Sequence, residues 1–167
     1  MKQQQFHRPN EAVSAEPLHY TDCGLDSIYL LNGFTKTTHD GEEYVSVTDI
    51  DGLHRAIGIQ IVMDKKAPTG REIRFLRDEM RISQSELGSR LSVSDQSVAR
   101  WEKGRTDIPG TAVLSIKVVY LFSMLPEAKR DEEISRYLSA LERLAEADET
   151  ADKLVLSYDG GKWHDAA

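Results

Sequence analysis

Cysteine is nearly absent: Cys23 stands alone, so neither a disulfide framework nor an all-cysteine zinc site can form. No apolar run approaches the ~20 residues of a membrane span, and the opening MKQQQFHRPN lacks the apolar core of a secretory signal, which predicts a cytoplasmic protein away from membranes. Basic side chains are in deficit, 21 against 28 acidic ones for a net charge of −7, which argues against a protein that coats nucleic acid along its length. With 167 residues there is room for one domain or two small ones, which excludes a large multidomain enzyme.

The deficit is uneven. Residues 1–64 carry 4 basic and 10 acidic side chains, residues 65–125 carry 11 and 7, and residues 126–167 carry 6 and 11, so net charges run −6, +4, −5. A basic middle between acidic flanks can still be drawn to a polyanion, because fields are largely screened beyond about 8–10 Å. A merely solvated charged face has the same count.

Four segments follow. Residues 1–16 are polar and without periodicity, and read as a flexible tail. Residues 17–64 read as a small α+β module for dimer or partner contact, with Ser27–Phe34 and Glu43–Thr48 as a β-hairpin joined by Thr37–Gly41. A helix from Asp49 to Met63, with Leu53, Ile57 and Ile61 on one face, should cover that hairpin. Lys65–Pro68 is the expected linker, since proline disfavours helix at Ala67. Residues 65–125 form a helical domain, and residues 126–167 an amphipathic helix from Asp131 to Ala147 followed by a strand or short hairpin. In that helix Ile134, Leu138, Leu141 and Ala145 make the stripe expected to pack inward. The fold class is mainly α with a small α+β N-terminal module.

The helical domain carries the functional signal. Thr69-x-x-Glu72 and Ser83-x-x-Glu86 have capping-box spacing, and Ser94 is a third N-cap, so three short helices follow one another through tight turns. Ile73, Leu76, Met80, Leu87, Leu91, Val98 and Trp101 mark their inward faces, and Gly104 stops the third. Arg71, Arg74, Arg77 and Arg81 read as a solvated face or as pairs with Glu72, Asp78 and Glu79. Three capped helices so spaced form a helix-turn-helix unit.

Ile82 to Pro109 resembles the Xre/Cro-type helix-turn-helix, with Gln84, Glu86-Leu87, Leu91-x-Val93-Ser94, Val98-x-x-Trp101-Glu102-x-Gly104 and Pro109 at that family's spacings. The resemblance implies a five-helix domain. Gly88 stands where the family usually has alanine, a substitution expected to cost roughly 0.5–1 kcal/mol of helix stability, and Ser92 where it has glycine, which predicts a positive φ. More widely, His19–Leu25, the strand pair and Asp49–His54 are similar to MqsA-family antitoxins and regulators, whose N-terminal module binds zinc through two Cys-x-x-Cys pairs. Here only Cys23 remains, so no metal or other cofactor is expected, and Cys23 with His19, His39 and His54 matches no known ligand set. Asp22, Asp26, Cys23 and His19 could be drawn as a catalytic cluster, but nucleophile, base and orienter would have to converge by chance, and no enzyme is expected.

In this motif the second helix, here Asp95–Lys103, lies in the major groove with its N-terminal residues at the base edges. That assigns Asp95, Gln96, Ser97 and Arg100 to bases, with Gln96 suited to adenine, Arg100 to guanine and Asp95 to cytosine. Ser94, Lys103 and Arg105 are assigned to phosphates from their place at helix ends, and Gln84 from the resemblance. The expected function is a sequence-specific DNA-binding transcriptional regulator, a repressor bound as a homodimer to a palindromic double-stranded operator. The MqsA-like resemblance adds a cognate toxin as partner. The alternative is a protein-interaction module whose DNA binding is vestigial.

Overall fold

The computed structural model describes residues 16–146 and 153–166, so the expected tail lies almost wholly outside the described residues. Two strands open the described residues, β1 (Leu18–His19) and β2 (Ile28–Leu30), followed by the hairpin β3 (Phe34–His39) and β4 (Glu42–Val47). Six helices come next: α1 (Ile50–Asp64), α2 (Gly70–Glu79), α3 (Gln84–Leu91), α4 (Asp95–Glu102), α5 (Gly110–Met124) and α6 (Glu127–Glu146). Strands β5 (Leu154–Asp159) and β6 (Lys162–Asp165) close the described chain.

The chain divides into two compact units, one of residues 1–56 and 151–167, the other of residues 57–150. In the first, the strand order is β1-β2-β5-β6, with β2 and β5 parallel in the register Ile28↔Leu154, Tyr29↔Val155, Leu30↔Leu156. Ile28, Leu30, Leu154 and Leu156 are buried, as alternation along two strands sharing one covered face requires. Trp163 on β6 is buried too, and its indole N–H donates to the carbonyls of Thr48 and Asp49 at 3.2 and 3.3 Å. Gly33, at φ +74, passes so close that a Cβ there would stand 2.7 Å from the Trp163 ring.

The expected hairpin is corrected here. β2 pairs with β1 and β5, whereas β4 pairs with β3, so Thr37–His39 is strand and the loop shrinks to Asp40-Gly41. Both loop residues have positive φ, 52° and 83°, the geometry of a two-residue hairpin turn whose twist matches the strands. Nothing covers this hairpin among the described residues: its strands are exposed but for half-buried Phe34 and Val47 at the base, and Tyr44 is 53% exposed.

The expected boundary at Lys65–Pro68 also differs from the observed one, which falls inside α1. Leu53 is buried in the first part of that helix and Ile57, Ile61 and Val62 in the second, so burial continues along α1 on both sides of the division. Likewise the C-terminal strands belong with the N-terminal unit, because β5 supplies the partner that β2 needs. Between residues 65 and 125 lie four helices, and the fifth, α6, begins at Glu127 rather than Asp131. Its inward side chains are Tyr137 and Ala140; Leu138, expected inside, is 57% exposed, and the Ala145 side chain lies outside the described residues. The stripe is rotated by one residue because the aromatic Tyr137 takes the buried position. No described helix is long and apolar enough to cross a membrane.

Candidate nucleic-acid interface

The three short helices begin where their caps place them. Thr69 Oγ1 accepts the Glu72 amide at 3.2 Å while Glu72 Oε2 accepts that of Thr69 at 2.7 Å, and Ser83 with Glu86 repeats the exchange at 3.1 and 2.7 Å. Ser94 Oγ accepts the Ser97 amide at 3.1 Å. Each such cap contributes about 1 kcal/mol. Hydrogen bonds from the Ser83 backbone and hydroxyl hold the Glu86 carboxyl below its ordinary range.

The turn between α3 and α4 is fixed by two residues. Ser92 adopts φ 56°, ψ 39°, the left-handed conformation expected of it, and the Val93 amide closes the turn on the Gly88 carbonyl at 2.9 Å. Gly88 has a reason of its own: a Cβ there would stand 2.8 Å from the Val93 carbonyl oxygen. The expected helix-propensity cost of this glycine is therefore offset by close approach of two backbones.

Leu87, Val98 and Trp101 are buried beneath this turn as the spacing predicts, but the three helices are also joined by a polar lock. Glu102, 8% exposed, accepts Arg77 Nε at 2.6 Å and Nη2 at 3.2 Å, and also Gln84 Nε2 at 2.7 Å. Arg77 in turn donates through Nη1 to the Ile82 carbonyl at 2.9 Å and reaches Asp78 Oδ1 at 2.6 Å. The Glu102 hydrogen bond raises the Arg77 pKa further, so the guanidinium stays charged although its side chain is only 11% exposed. Reading Arg77 as part of a solvated face is thus overturned. Its position beside Leu76, at the edge of the apolar stripe, and the neighbouring Trp101-Glu102 are the signals that could have located the pair. Arg74, by contrast, pairs at the surface with Asp78 at 3.5 Å, and Arg71 and Arg81 are exposed.

The proposed contact residues sort by placement. Gln96 and Arg100 are exposed one turn apart on α4. Asp95 is exposed at the first position of α4, where its Oδ1 accepts the Gln96 amide at 2.8 Å. Ser97 is half-buried and shares a 2.9 Å hydrogen bond with the Ser94 hydroxyl, so one of the two hydroxyl protons is spent within the cap. Gln84 is half-buried with its amide nitrogen donating to Glu102, which leaves one amide N–H and the carbonyl oxygen for other partners. Lys103 and Arg105 are exposed just beyond α4, around Gly104 at φ 63°.

Residues 69–130 match the family model of a helix-turn-helix domain. The chain carries a helix-turn-helix of the DNA-binding kind. The match begins at Thr69, the cap of α2, and runs into the first turn of α6, so it takes in every helix of the polar lock. No curated protein and no solved structure matches the chain. In the helix-turn-helix domain α4 follows α3 across the Ser92 turn. Outside it, His19 Nε2 lies 2.7 Å from the Asp26 carbonyl, His54 Nε2 2.9 Å from the Tyr20 hydroxyl, and His39 beside Asp40 at 3.2 Å. Among the described residues no group of three or more His, Cys, Asp or Glu side chains is gathered as a metal site.

Proposed function

We propose that the protein is a sequence-specific transcriptional repressor that binds a palindromic operator as a two-fold dimer, with α4 in the major groove and no catalytic role. The observation that carries this reading is the pairing of two exposed, base-competent side chains, Gln96 and Arg100, on a short helix held rigid by the Arg77–Glu102–Gln84 lock. A helix so fixed presents its outer face at a constant angle, which is what reading base edges requires. A single motif of this size buries too little interface for tight specificity, so two copies on half-sites about 10–10.5 bp apart, or a multiple, are expected.

The open hairpin of β3 and β4 supports a protein-contact role for the N-terminal unit, as in an antitoxin that holds a toxin while its helix-turn-helix represses the operon. Two unpaired edges and exposed Tyr44 and Val45 are an unfinished surface.

Selection of the intact chain against random double-stranded DNA, followed by gel shift, tests the DNA reading. A two-fold symmetric consensus is expected, with Gln96→Ala and Arg100→Ala each costing ~1–3 kcal/mol and relaxing preference at one position per half-site. Recovery of no consensus, with only salt-sensitive non-specific binding, overturns the proposal in favour of a protein-interaction module with vestigial DNA binding.

A further inference from the structure

Helix α5 is apolar on every side. Of its 15 residues only Lys117 is charged, and that side chain is 2% exposed, with its ammonium donating to the Lys65 carbonyl. A helix apolar all round is the kind that other elements cover all round. Among the described residues only one face of α5 is covered, the one carrying Val113, Ile116, Tyr120 and Leu121. Leu114 stays 42% and Phe122 48% exposed, two turns apart with half-buried Val118 between them.

The polar side chains on this outer face do not oppose burial. Thr111, Ser115 and Ser123 are exposed and uncharged, and the Ser115 hydroxyl donates to the Thr111 carbonyl at 2.9 Å, so covering it strands no donor. The apolar surface continues onto α6, where Leu138 is 57% exposed one turn before Leu141, which lines a cleft together with Leu114. At its other end the Arg130 guanidinium lies 5.8 Å from the centre of the Phe122 ring.

We infer that the outer face of α5, with Leu138 beside it, is where a second copy of this chain docks across a two-fold axis. The inference names the surface for the dimer proposed above and rests on that reading. Across a two-fold axis a patch meets itself, so any charge on it is brought toward its own sign. The exposed faces of α2, α3 and α4 carry such charges, among them Arg71 and Arg74, Glu86 and Arg90, and Asp95 and Arg100. The outer face of α5 has none, and it can meet its own copy without repulsion. The largest apolar patches on single chains cover ~300–600 Å², and two copies of one reach about the 1,000 Å² at which specific interfaces begin. The expected dimer is therefore weak in solution, with a micromolar dissociation constant, and becomes firm when one operator holds both copies.

Sedimentation equilibrium of the intact chain without DNA, at about 1–100 μM to bracket that constant, tests the surface. The wild type is expected to pass from monomer to dimer over this range. Leu114→Glu, Phe122→Glu and Ser115→Arg should each raise the dissociation constant at least about 10-fold, since each sets like charges face to face. Their helical signal should be unchanged, because all three positions are exposed in the single chain and Ser115→Arg removes no apolar contact within it. Tyr44→Glu, on the hairpin, should dimerise as the wild type does. A chain that stays monomeric throughout overturns the inference, as do all three α5 variants dimerising with wild-type affinity. The latter result leaves the two-fold repressor reading standing with its interface elsewhere, and loss of the dimer in Tyr44→Glu would place it on the hairpin. Conversely, a dimer lost through the α5 variants alongside a failure to select any DNA consensus upholds this surface and removes the repressor reading.

Discussion

Replacing Glu102 by glutamine keeps the shape of the side chain and removes the charge that Arg77 faces. The Arg77 side chain is 11% exposed and that of Glu102 3%, so neither can turn to water without disturbing the packing of α2 against α4. Breaking a buried ion pair from one side costs roughly 3–5 kcal/mol, because the remaining charge stays buried without compensation. Here Arg77 keeps the Ile82 carbonyl and the half-exposed Asp78 carboxylate at 2.6 Å, which places Glu102→Gln near the lower end, at about 3 kcal/mol. For a unit of ~100 residues that is a fall of roughly 12–24 °C in midpoint. Denaturant melts by far-UV circular dichroism on wild type, Glu102→Gln, Arg77→Met and the double variant give a coupling energy, expected at ~2 kcal/mol or more. Arg77→Met with Glu102→Leu should recover much of the loss, since an apolar pair of similar volume carries no desolvation penalty. Single losses under ~1 kcal/mol with a coupling under ~0.5 kcal/mol would refute the lock as the element that fixes α4.

Ser92→Gly should raise the unfolding midpoint, by an amount worth about 0.5 kcal/mol, since relief of the left-handed cost slightly exceeds the added freedom of the unfolded chain; a lower midpoint would show that φ 56° is not strained. Gly88→Ala should lower stability by ~1 kcal/mol despite better helix propensity, because the Val93 carbonyl must move; a stabilised variant contradicts this. Lys103→Ala with Arg105→Ala should weaken all DNA sequences alike and flatten the dependence of affinity on salt, and an unchanged slope removes both from the phosphate contacts. Burial raises the Tyr137 pKa in the folded chain, so its contribution is fully present below the unfolded value near ~10 and is lost as pH rises through the folded value. Alkaline titration of stability should therefore fall less steeply for Tyr137→Phe, and identical slopes would exclude the phenol.

Helices α2 to α4 are legible because their signals are local, each cap and its partner lying three residues apart, whereas the left-handed turn at Ser92 follows from the resemblance, in which glycine is usual there. Gln96 and Arg100 were placed on α4 by the same logic, and both are exposed there. Arg77 is harder to place, since its partner lies 25 residues on and only its position at the edge of the apolar stripe distinguishes it from the other arginines of a charged helix face. The strand pairing failed for a related reason. Ile28–Leu30 alternates like any half-buried strand, but its partner is 126 residues away and parallel, a match that no turn signal announces. Between β3 and β4 the Asp40-Gly41 turn lies inside the longer polar stretch Thr37–Gly41, and a loop that differs by a few residues changes which strands pair. Leu138 is the instructive helical error, because a tyrosine one position earlier buries more apolar surface than the leucine.

The parallel pairing of β2 with β5 makes the helix-turn-helix an insertion within the chain of the other unit, and this orders events during synthesis. A nascent chain emerging at ~5–20 residues per second exposes Ile28 and Leu30 long before Leu154 and Leu156 exist. The helical unit, built from near-neighbour contacts, can be complete while β2 still waits for its central neighbour, and contacts spanning so long a separation form slowly. Through that interval the helix-turn-helix is complete while the four-stranded sheet is not, so whatever the helical unit does by itself precedes any function that depends on the finished N-terminal unit.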